Sequence, residues 1–395
     1  MLLLKIIDIS KFSLAYLLSY VMRFFGLSKN IWIITERPAE CKDNGYHFFK
    51  YIREKYPNQK TYYAIDRQAP DLKKITDLGQ ALYFNSFKHY LFSFLATRLI
   101  GAFNPVGIPN SFSFYKFPHL VKGKKVFLQH GITKEYIKSL TYSSTLVDLF
   151  CCGALPEYDY VQEFFGYPKN VVQYVGFCRY DNLNDYTLKK QILLMPTWRQ
   201  FLPSQTWKMK GVKNFNELER EFLNSDYYAH YSYLLKNQDL LDFLERNDYL
   251  LIFYLHHELQ QFTSLFETSN KNIVMANNSD YDVQLLLKES EFLITDYSSV
   301  AFDFAYMNKP MVYYQFDEEE YYKSHYNKGY FDYESMGFGA VARQETDLVK
   351  ALINSFDTQK MQFYNDEMFT KRTHDFFTLR DTLNCKRTFD AVLYL

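Results

Sequence analysis

The run Phe292 to Asp303, FLITDYSSVAFD, ends an apolar stretch at Thr295-Asp296 and passes at once into hydroxyls and an amphipathic segment. A strand-to-helix turn of this kind leaves backbone N–H groups free at the positive end of the helix dipole, and Ser298 and Ser299 add hydroxyl donors beside them. Such a turn suits a phosphate; the plain alternative is an Asp/Ser helix cap with no further role. Four other apolar runs also end in chemically capable residues. Lys125 to Leu128 ends in Gln129-His130-Gly131, Ile192 to Met195 in Pro196-Thr197-Trp198-Arg199, Leu250 to Leu255 in His256-His257, and Met311 to Tyr314 in Gln315-Phe316-Asp317. In open parallel sheets ligands bind outside the carboxyl ends of the strands, so these five endings together outline a candidate site.

Each ending has its own chemistry. His130 is the general-base candidate, since imidazole titrates near neutrality, and Gly131 beside it permits close approach of a substrate or backbone. The alternative is a simple His-Gly turn. His256 can hydrogen-bond a phosphate oxygen. Its neighbour His257 suggests a metal pair, but adjacent side chains diverge and no acidic third ligand stands at metal spacing, so no metal is expected. Arg199 offers a guanidinium fork for phosphate oxygens, with Thr197 as a supporting position in the same motif. Asp280-Tyr281-Asp282 has the spacing of a cation-chelating pair, yet it directly precedes a helical pattern, which favours capping. The dense loop Tyr321, Tyr322, Lys323, His325, Lys328, Tyr330 to Glu334 mixes cations, phenols and carboxylates. Within it Asp332 and Glu334 are acceptors able to bind sugar or polyol hydroxyls.

Positioning these residues requires two α/β series. Strand patterns at Ile31 to Thr35, Thr61 to Asp66, Arg98 to Ala102, Val126 to Gln129 and Val171 to Val175 alternate with helical stretches such as His47 to Lys55. A second series runs through Ile192 to Met195, Leu250 to Leu255, Asn272 to Met275, Phe292 to Thr295 and Met311 to Tyr314. The rhythm predicts an α/β fold of two facing Rossmann-like domains, spanning 28–185 and 186–395, with a polar hinge at Asp181 to Lys190. Gln200 to Asn247 forms a long, mostly helical insertion, and the tail from Asp347 reads as helices. There is no internal repeat and no low-complexity tract.

Residues 1–27 are apolar at helical spacing but carry Lys5, Asp8, Lys11 and Arg23. They fit neither a cleavable signal nor an uninterrupted membrane span. Two readings remain open: an amphipathic helix in the membrane interface, or a helix packed on the first domain.

Composition narrows the partners. A chain of 395 residues suits two domains, and 45 Lys plus Arg against 45 Asp plus Glu gives no bulk attraction for nucleic acid. Any anion must be held locally. The five cysteines, Cys41, Cys151, Cys152, Cys178 and Cys385, have no zinc or disulfide spacing and fit buried thiols in a reducing compartment.

From about residue 120 to the carboxyl end, QHG, PTWR, the pair Leu255-His256, TDYSSVAFDFA and GYFDYE occur in the same order as in the CDP-glycerol glycerophosphotransferase family of teichoic-acid and capsule synthesis, which this chain resembles. The resemblance implies a GT-B-like fold and transfer of a polyol phosphate from a CDP-polyol, CDP-glycerol or CDP-ribitol, to an acceptor hydroxyl with release of CMP. It implies a lipid-linked glycan or polyol-phosphate acceptor at the cytoplasmic face of a bacterial membrane, and no cofactor. Carried over position by position, His130 is the base and His256 the second essential histidine. Arg199, Thr295, Asp296, Ser298 and Ser299 line the donor site, with Asp303 supporting the turn. Two departures stand out: His256-His257 replaces the usual His-Pro, and Leu128-Gln129 stands where a Trp often precedes His-Gly. A nucleotide-sugar glycosyltransferase of the same fold and a non-catalytic membrane-associated scaffold are the competing readings.

Overall fold

The computed structural model describes residues 2–26, 30–104, 106–203, 214–324 and 327–395. His325, named in the loop after the fifth strand ending, and part of the expected insertion lie outside these residues, as does the end of the leading segment. The chain divides into two compact units, one of Met1–Thr133, Ile137–Asn182 and Leu379–Leu395, the other of Lys134–Tyr136 and Leu183–Thr378.

The first unit is built on seven parallel strands. They are β1 (Ile31–Thr35), β2 (Thr61–Ile65), β3 (Ala81–Tyr83), β4 (Ala96–Gly101), β5 (Lys124–Phe127), β6 (Leu149–Cys152) and β7 (Val172–Tyr174), in the order β3-β2-β1-β4-β5-β6-β7. The second has six parallel strands: β8 (Lys189–Leu194), β9 (Leu250–Tyr254), β10 (Ile273–Ala276), β11 (Ser290–Thr295), β12 (Met311–Tyr314) and β13 (Ala340–Ala342). Their order is β10-β9-β8-β11-β12-β13. Both sheets therefore wind outward from their first strand, return, and wind out the other way. That reversal places a switch point between β1 and β4 in one unit and between β8 and β11 in the other.

Strands covered on both faces by helices read as unbroken apolar runs, which is why Ile192-Leu193-Leu194 and Phe292-Leu293-Ile294 lack alternation and are fully buried. The three-residue strands β3 and β13 are too short to show a pattern, and the spacing does not predict them. Strand β6 is hidden differently: Cys151 and Cys152 read as small buried residues, and they are buried within it as free thiols.

Two helices bear on the domain limits. Asn384–Leu393 belongs to the first unit, although the sequence places residues 186–395 together. Phe389 stacks on Tyr56 at 3.8 Å, Asp181 accepts the N–H groups of Asn384 and Cys385, and Arg98 Nε donates to the Val392 carbonyl. An amphipathic pattern announces that a face is buried without naming what buries it. The leading helix, Leu2–Phe24, packs one face on the first unit through buried Phe12, Ala15 and Ser19. The Asp8 carboxylate there accepts from Tyr90 Oη and from the Ser113 N–H and Oγ. Its other face leaves Leu3, Leu4, Ile7, Leu14, Leu17 and Val21 exposed. No helix among the described residues is long and apolar enough to cross a membrane.

In the insertion, the described part forms helices Phe215–Leu223, Asp226–Leu234 and Gln238–Asn247, each started by an Asn or Ser whose side chain accepts a backbone N–H. The caps at Ser225 and Asn237 explain the two breaks in an otherwise continuous helical pattern.

Candidate active site

In the first unit the chain leaves β5 through Gln129, whose φ of 61° puts it in the left-handed region. The tight turn thus rests on Gln129 rather than on Gly131. A buried network holds that unusual conformation. Gln129 Nε2 donates to Thr133 Oγ1 at 2.6 Å, the Thr133 N–H donates to Glu157 Oε1 at 2.7 Å, and the Gly153 N–H donates to Glu157 Oε2 at 2.7 Å. From the other side, Asn44 Nδ2 donates to the carbonyls of Leu128 and Gln129. Burial pushes the Glu157 carboxyl up to about 8, while the amides it accepts pull the other way.

The turn presents His130 with part of its ring open to solvent. His130 Nδ1 lies 3.1 Å from the Ala102 carbonyl, an acceptor only, so Nδ1 carries the proton and Nε2 keeps a lone pair. This is the tautomer a general base requires. The ring stacks on Phe103 at 4.4 Å with 19° between planes. Surrounding protein lowers the His130 pKa below the usual histidine value, opposed by the Asp43 carboxylate and the Ala102 carbonyl. Gly131 comes next, half-buried.

In the second unit Arg199, His256 and the Ser298/Ser299 turn lie after β8, β9 and β11, three neighbours in the sheet. Arg199 is wholly buried. Its Nη1 donates to Asp296 at 2.8 Å and to the Thr197 carbonyl at 2.7 Å, while Nε and Nη2 donate to Asp317 at 2.7 and 3.1 Å. Asp296 also accepts the N–H groups of Thr197 and Tyr297. Tyr297 Oη donates to Asp317 at 3.2 Å, and the guanidinium lies 4.9 Å from the Tyr297 ring. Burial alone would lower the Arg199 pKa, but Asp296 and Asp317 together raise it, so the cation is permanent.

Arg199, Thr295 and Asp296, expected from the sequence at the donor site, are held by protein partners. All three are buried with their polar groups turned to protein, Thr295 Oγ1 donating to the Met195 carbonyl. They brace the turn that carries Ser298 and Ser299. Ser298 is half-buried and Ser299 exposed, immediately before the helix Val300–Tyr306. Asp303 is buried within that helix.

His256 lies at the end of the segment leaving β9, half-buried, stacked at 6.1 Å on Trp198 and tilted against the His257 ring at 4.1 Å. The Glu258 N–H lies 3.3 Å from His256 Nδ1, which must accept. The proton of the neutral ring then sits on Nε2, making it a donor. As neutral rings His130 and His256 are thus held in opposite tautomers, with Nε2 an acceptor in the first and a donor in the second.

Asp332 and Glu334 each have a local partner while remaining partly exposed. Asp332 caps the helix Tyr333–Met336 through the Ser335 N–H at 2.9 Å, a bond that also lowers its pKa, and Glu334 pairs with Arg343 at 2.9 Å. Asp282 caps Val283–Glu289 through the Leu285 N–H, as its position before a helical pattern predicts. No group of three His, Cys, Asp or Glu among the described residues is placed to hold a metal ion.

Sequence reasoning does not find Glu157, Asn44, Ala102, Phe103, Tyr297 or the role of Asp317. Asn44 and Glu157 are far from His130 in the chain and carry no motif. Asp317 alone has a signal, as the polar residue ending the fifth run.

Two doubly wound units, each built on a parallel sheet, form a fold shared with solved structures of the wall teichoic acid polymerase TagF. One of these matches with a TM-score of 0.65 at 17% identity, covering 99% of this chain and 98% of that one. A Staphylococcus aureus MnaA–UDP co-structure matches at 0.54 and 11% identity, over 93% of this chain and 96% of that one. Residues 16–394 match the family model of CDP-glycerol:poly(glycerophosphate) glycerophosphotransferase, and the chain belongs to that family. Among curated relatives, it is 32% identical over 98% of its length to the minor teichoic acid biosynthesis protein GgaB of Bacillus subtilis, covering 42% of that protein. It is 28% identical over 58% of its length to a teichoic acid poly(glycerol phosphate) polymerase of Bacillus spizizenii, covering 52% of that protein. The chain spans about half or less of the relatives it matches first.

Proposed function

We propose that the chain transfers glycerol phosphate from CDP-glycerol to a hydroxyl of a growing teichoic-acid or capsule chain, releasing CMP. The observation that carries this reading is the fixed tautomer of His130: Nδ1 is committed to the Ala102 carbonyl and Nε2 is left as the base on a solvent-reachable ring. Family membership supports the substrate class, as does the TagF variant crystal soaked with CDPG.

In the proposed reaction the acceptor hydroxyl gives its proton to His130 Nε2 and its oxygen attacks the phosphorus bearing glycerol. A phosphodiester bond forms, the bond to the CMP oxygen breaks, and CMP leaves with the electron pair. His256 Nε2–H and the Ser298/Ser299 turn supply donors for the phosphate oxygens. The Arg199 network keeps that turn rigid. Phosphoryl transfer needs chiefly alignment and charge stabilisation, so two imidazoles and a set of hydroxyl and amide donors are suited to it.

The exposed apolar face of Leu2–Phe24 suits an interfacial helix, with Lys5 and Lys11 on the same helix available to anionic lipid headgroups. This supports action at the cytoplasmic membrane surface on a lipid-linked acceptor.

The test is incubation of purified protein with CDP-glycerol or CDP-ribitol and a polyol-phosphate acceptor, with product analysis. CMP and an extended phosphodiester are expected with CDP-glycerol. Faster turnover with CDP-ribitol would move the donor assignment, and absence of turnover with either would refute the reading.

A further inference from the structure

Arg37 comes directly after Glu36 where the chain leaves β1, beside β4, at the switch point of the first unit. Its guanidinium carbon lies 4.5 Å from the centre of the Phe103 ring, the same ring on which His130 stacks at 4.4 Å. One aromatic ring therefore lies against both His130 and the Arg37 guanidinium. Among the described residues the Arg37 side chain makes this ring contact and an ion pair with Glu40 at 3.6 Å, with 51% of the side chain exposed. An exposed pair at that distance restrains the guanidinium little and leaves its fork available.

The ordinary anion position of such a unit is already filled. At a switch point a phosphate would dock on the amino end of the first crossover helix, here Asn44–Lys55. Glu36 occupies that place. Its Oε1 accepts the N–H groups of Asp43 at 3.0 Å and Tyr46 at 2.7 Å, and its Oε2 accepts that of Lys42 at 2.9 Å. Gly45 makes the room, since a Cβ there would come within 2.9 Å of Glu36 Cγ. The nearby Asp43 carboxylate is taken by Arg179 at 2.9 Å. With the Lys42, Asp43 and Tyr46 amides taken by Glu36, Arg37 is a cation that remains available to an incoming anion at this crevice.

We propose that Arg37 binds a phosphate of the acceptor, one polyol unit behind the hydroxyl that loses its proton to His130. This rests on the transfer reading above and deepens it: the acceptor of this unit is an anionic polyol-phosphate end, discriminated from a neutral polyol by its phosphodiester. Phe103 is the platform that keeps the guanidinium and the imidazole at a fixed spacing, and a planar guanidinium suits both the ring face and the phosphate oxygens.

Two measurements test it. The first is direct binding of a synthetic glycerol-phosphate dimer and of free glycerol to the wild type, Arg37→Gln, Arg37→Lys and His130→Ala. The dimer should bind wild type and His130→Ala similarly, Arg37→Gln about tenfold or more weakly, and Arg37→Lys between them. Free glycerol should not distinguish the four. The second is steady-state turnover with CDP-glycerol, in which Arg37→Gln should raise KM for the dimer by a like factor while leaving KM for the donor unchanged. Dimer binding by Arg37→Gln within twofold of wild type would overturn the subsite whatever the turnover. Normal turnover by His130→Ala, with dimer binding still dependent on Arg37, would overturn the transfer mechanism and leave the subsite standing.

Discussion

Arg199 and Asp296 form an ion pair at 2.8 Å in which neither side chain reaches solvent, and Asp317 closes the other edge of the same guanidinium. Three charges are taken out of water here, and their mutual geometry is what offsets the cost. Removing the cation leaves two buried carboxylates without their partner. Arg199→Met is expected to lower unfolding free energy by about 3–5 kcal/mol, read as a reduced urea midpoint at unchanged slope. Arg199→Lys should recover part of this at most, since an ammonium cannot serve both carboxylates with a planar fork.

The acid limb of kcat/KM should report His130. A base works when neutral, so activity falls as pH drops through its pKa. Crowding by protein pushes that pKa below the usual 6.5, which moves the acid limb below pH 6.5 and leaves the enzyme fully active at neutrality. A limb above 6.5 would contradict the environment described. His130→Ala should lower kcat by about 10²–10⁴ with the fold retained, seen as unchanged circular dichroism.

In the proposed reaction His256 donates through Nε2, so a side chain that keeps an N–H should keep part of the function. His256→Gln is expected to retain more turnover than His256→Ala, the latter losing about 10²–10³ in kcat as for removal of one donor to a developing charge. Equal losses in both variants would mean that the ring does something a neutral donor cannot.

Glu36 should be intolerant of crowding from its own helix. Gly45→Ala is expected to destabilise the first unit, because the added methyl meets both the Glu36 side chain at 2.9 Å and the Thr35 carbonyl at 3.2 Å. Glu36→Ala combined with Gly45→Ala relieves the 2.9 Å contact but leaves the Lys42, Asp43 and Tyr46 N–H groups without their acceptor, so it should restore little of the loss in thermal unfolding.

The exposed side of Leu2–Phe24 predicts lipid binding. The triple variant Leu14→Glu, Leu17→Glu, Val21→Glu alters exposed positions only and should lose cosedimentation with vesicles containing anionic lipid. Turnover on a water-soluble acceptor should be unaffected.

Much of this is legible in the chain because parallel strands buried on both faces write themselves as apolar runs, and because the polar residues that end them mark one edge of each sheet. Ile31–Thr35 and Met311–Tyr314 are readable to the residue for that reason. His130, His256 and the Ser298-Ser299 turn emerge the same way. What stays hidden is the difference between a polar residue that faces a ligand and one that faces protein. Arg199 and Asp296 have the right types at strand ends, yet their charges are spent on each other, a pairing across almost a hundred residues that no local pattern encodes. Gln129 is passed over for Gly131 because glycine is the usual left-handed residue, whereas here Glu157 and Asn44 hold a glutamine in that conformation. Neither the return of the carboxyl-terminal helix to the first unit nor Glu36 filling its own helix terminus carries a signal in spacing.

The most direct test of the central claim is product analysis of wild type and His130→Ala with CDP-glycerol and a glycerol-phosphate acceptor, followed by mass spectrometry. The account predicts CMP and an acceptor heavier by one glycerol phosphate in the wild type, and loss of both in the folded variant. Release of a nucleoside diphosphate with a glycoside from a sugar donor instead, or undiminished CMP formation by His130→Ala, would contradict it.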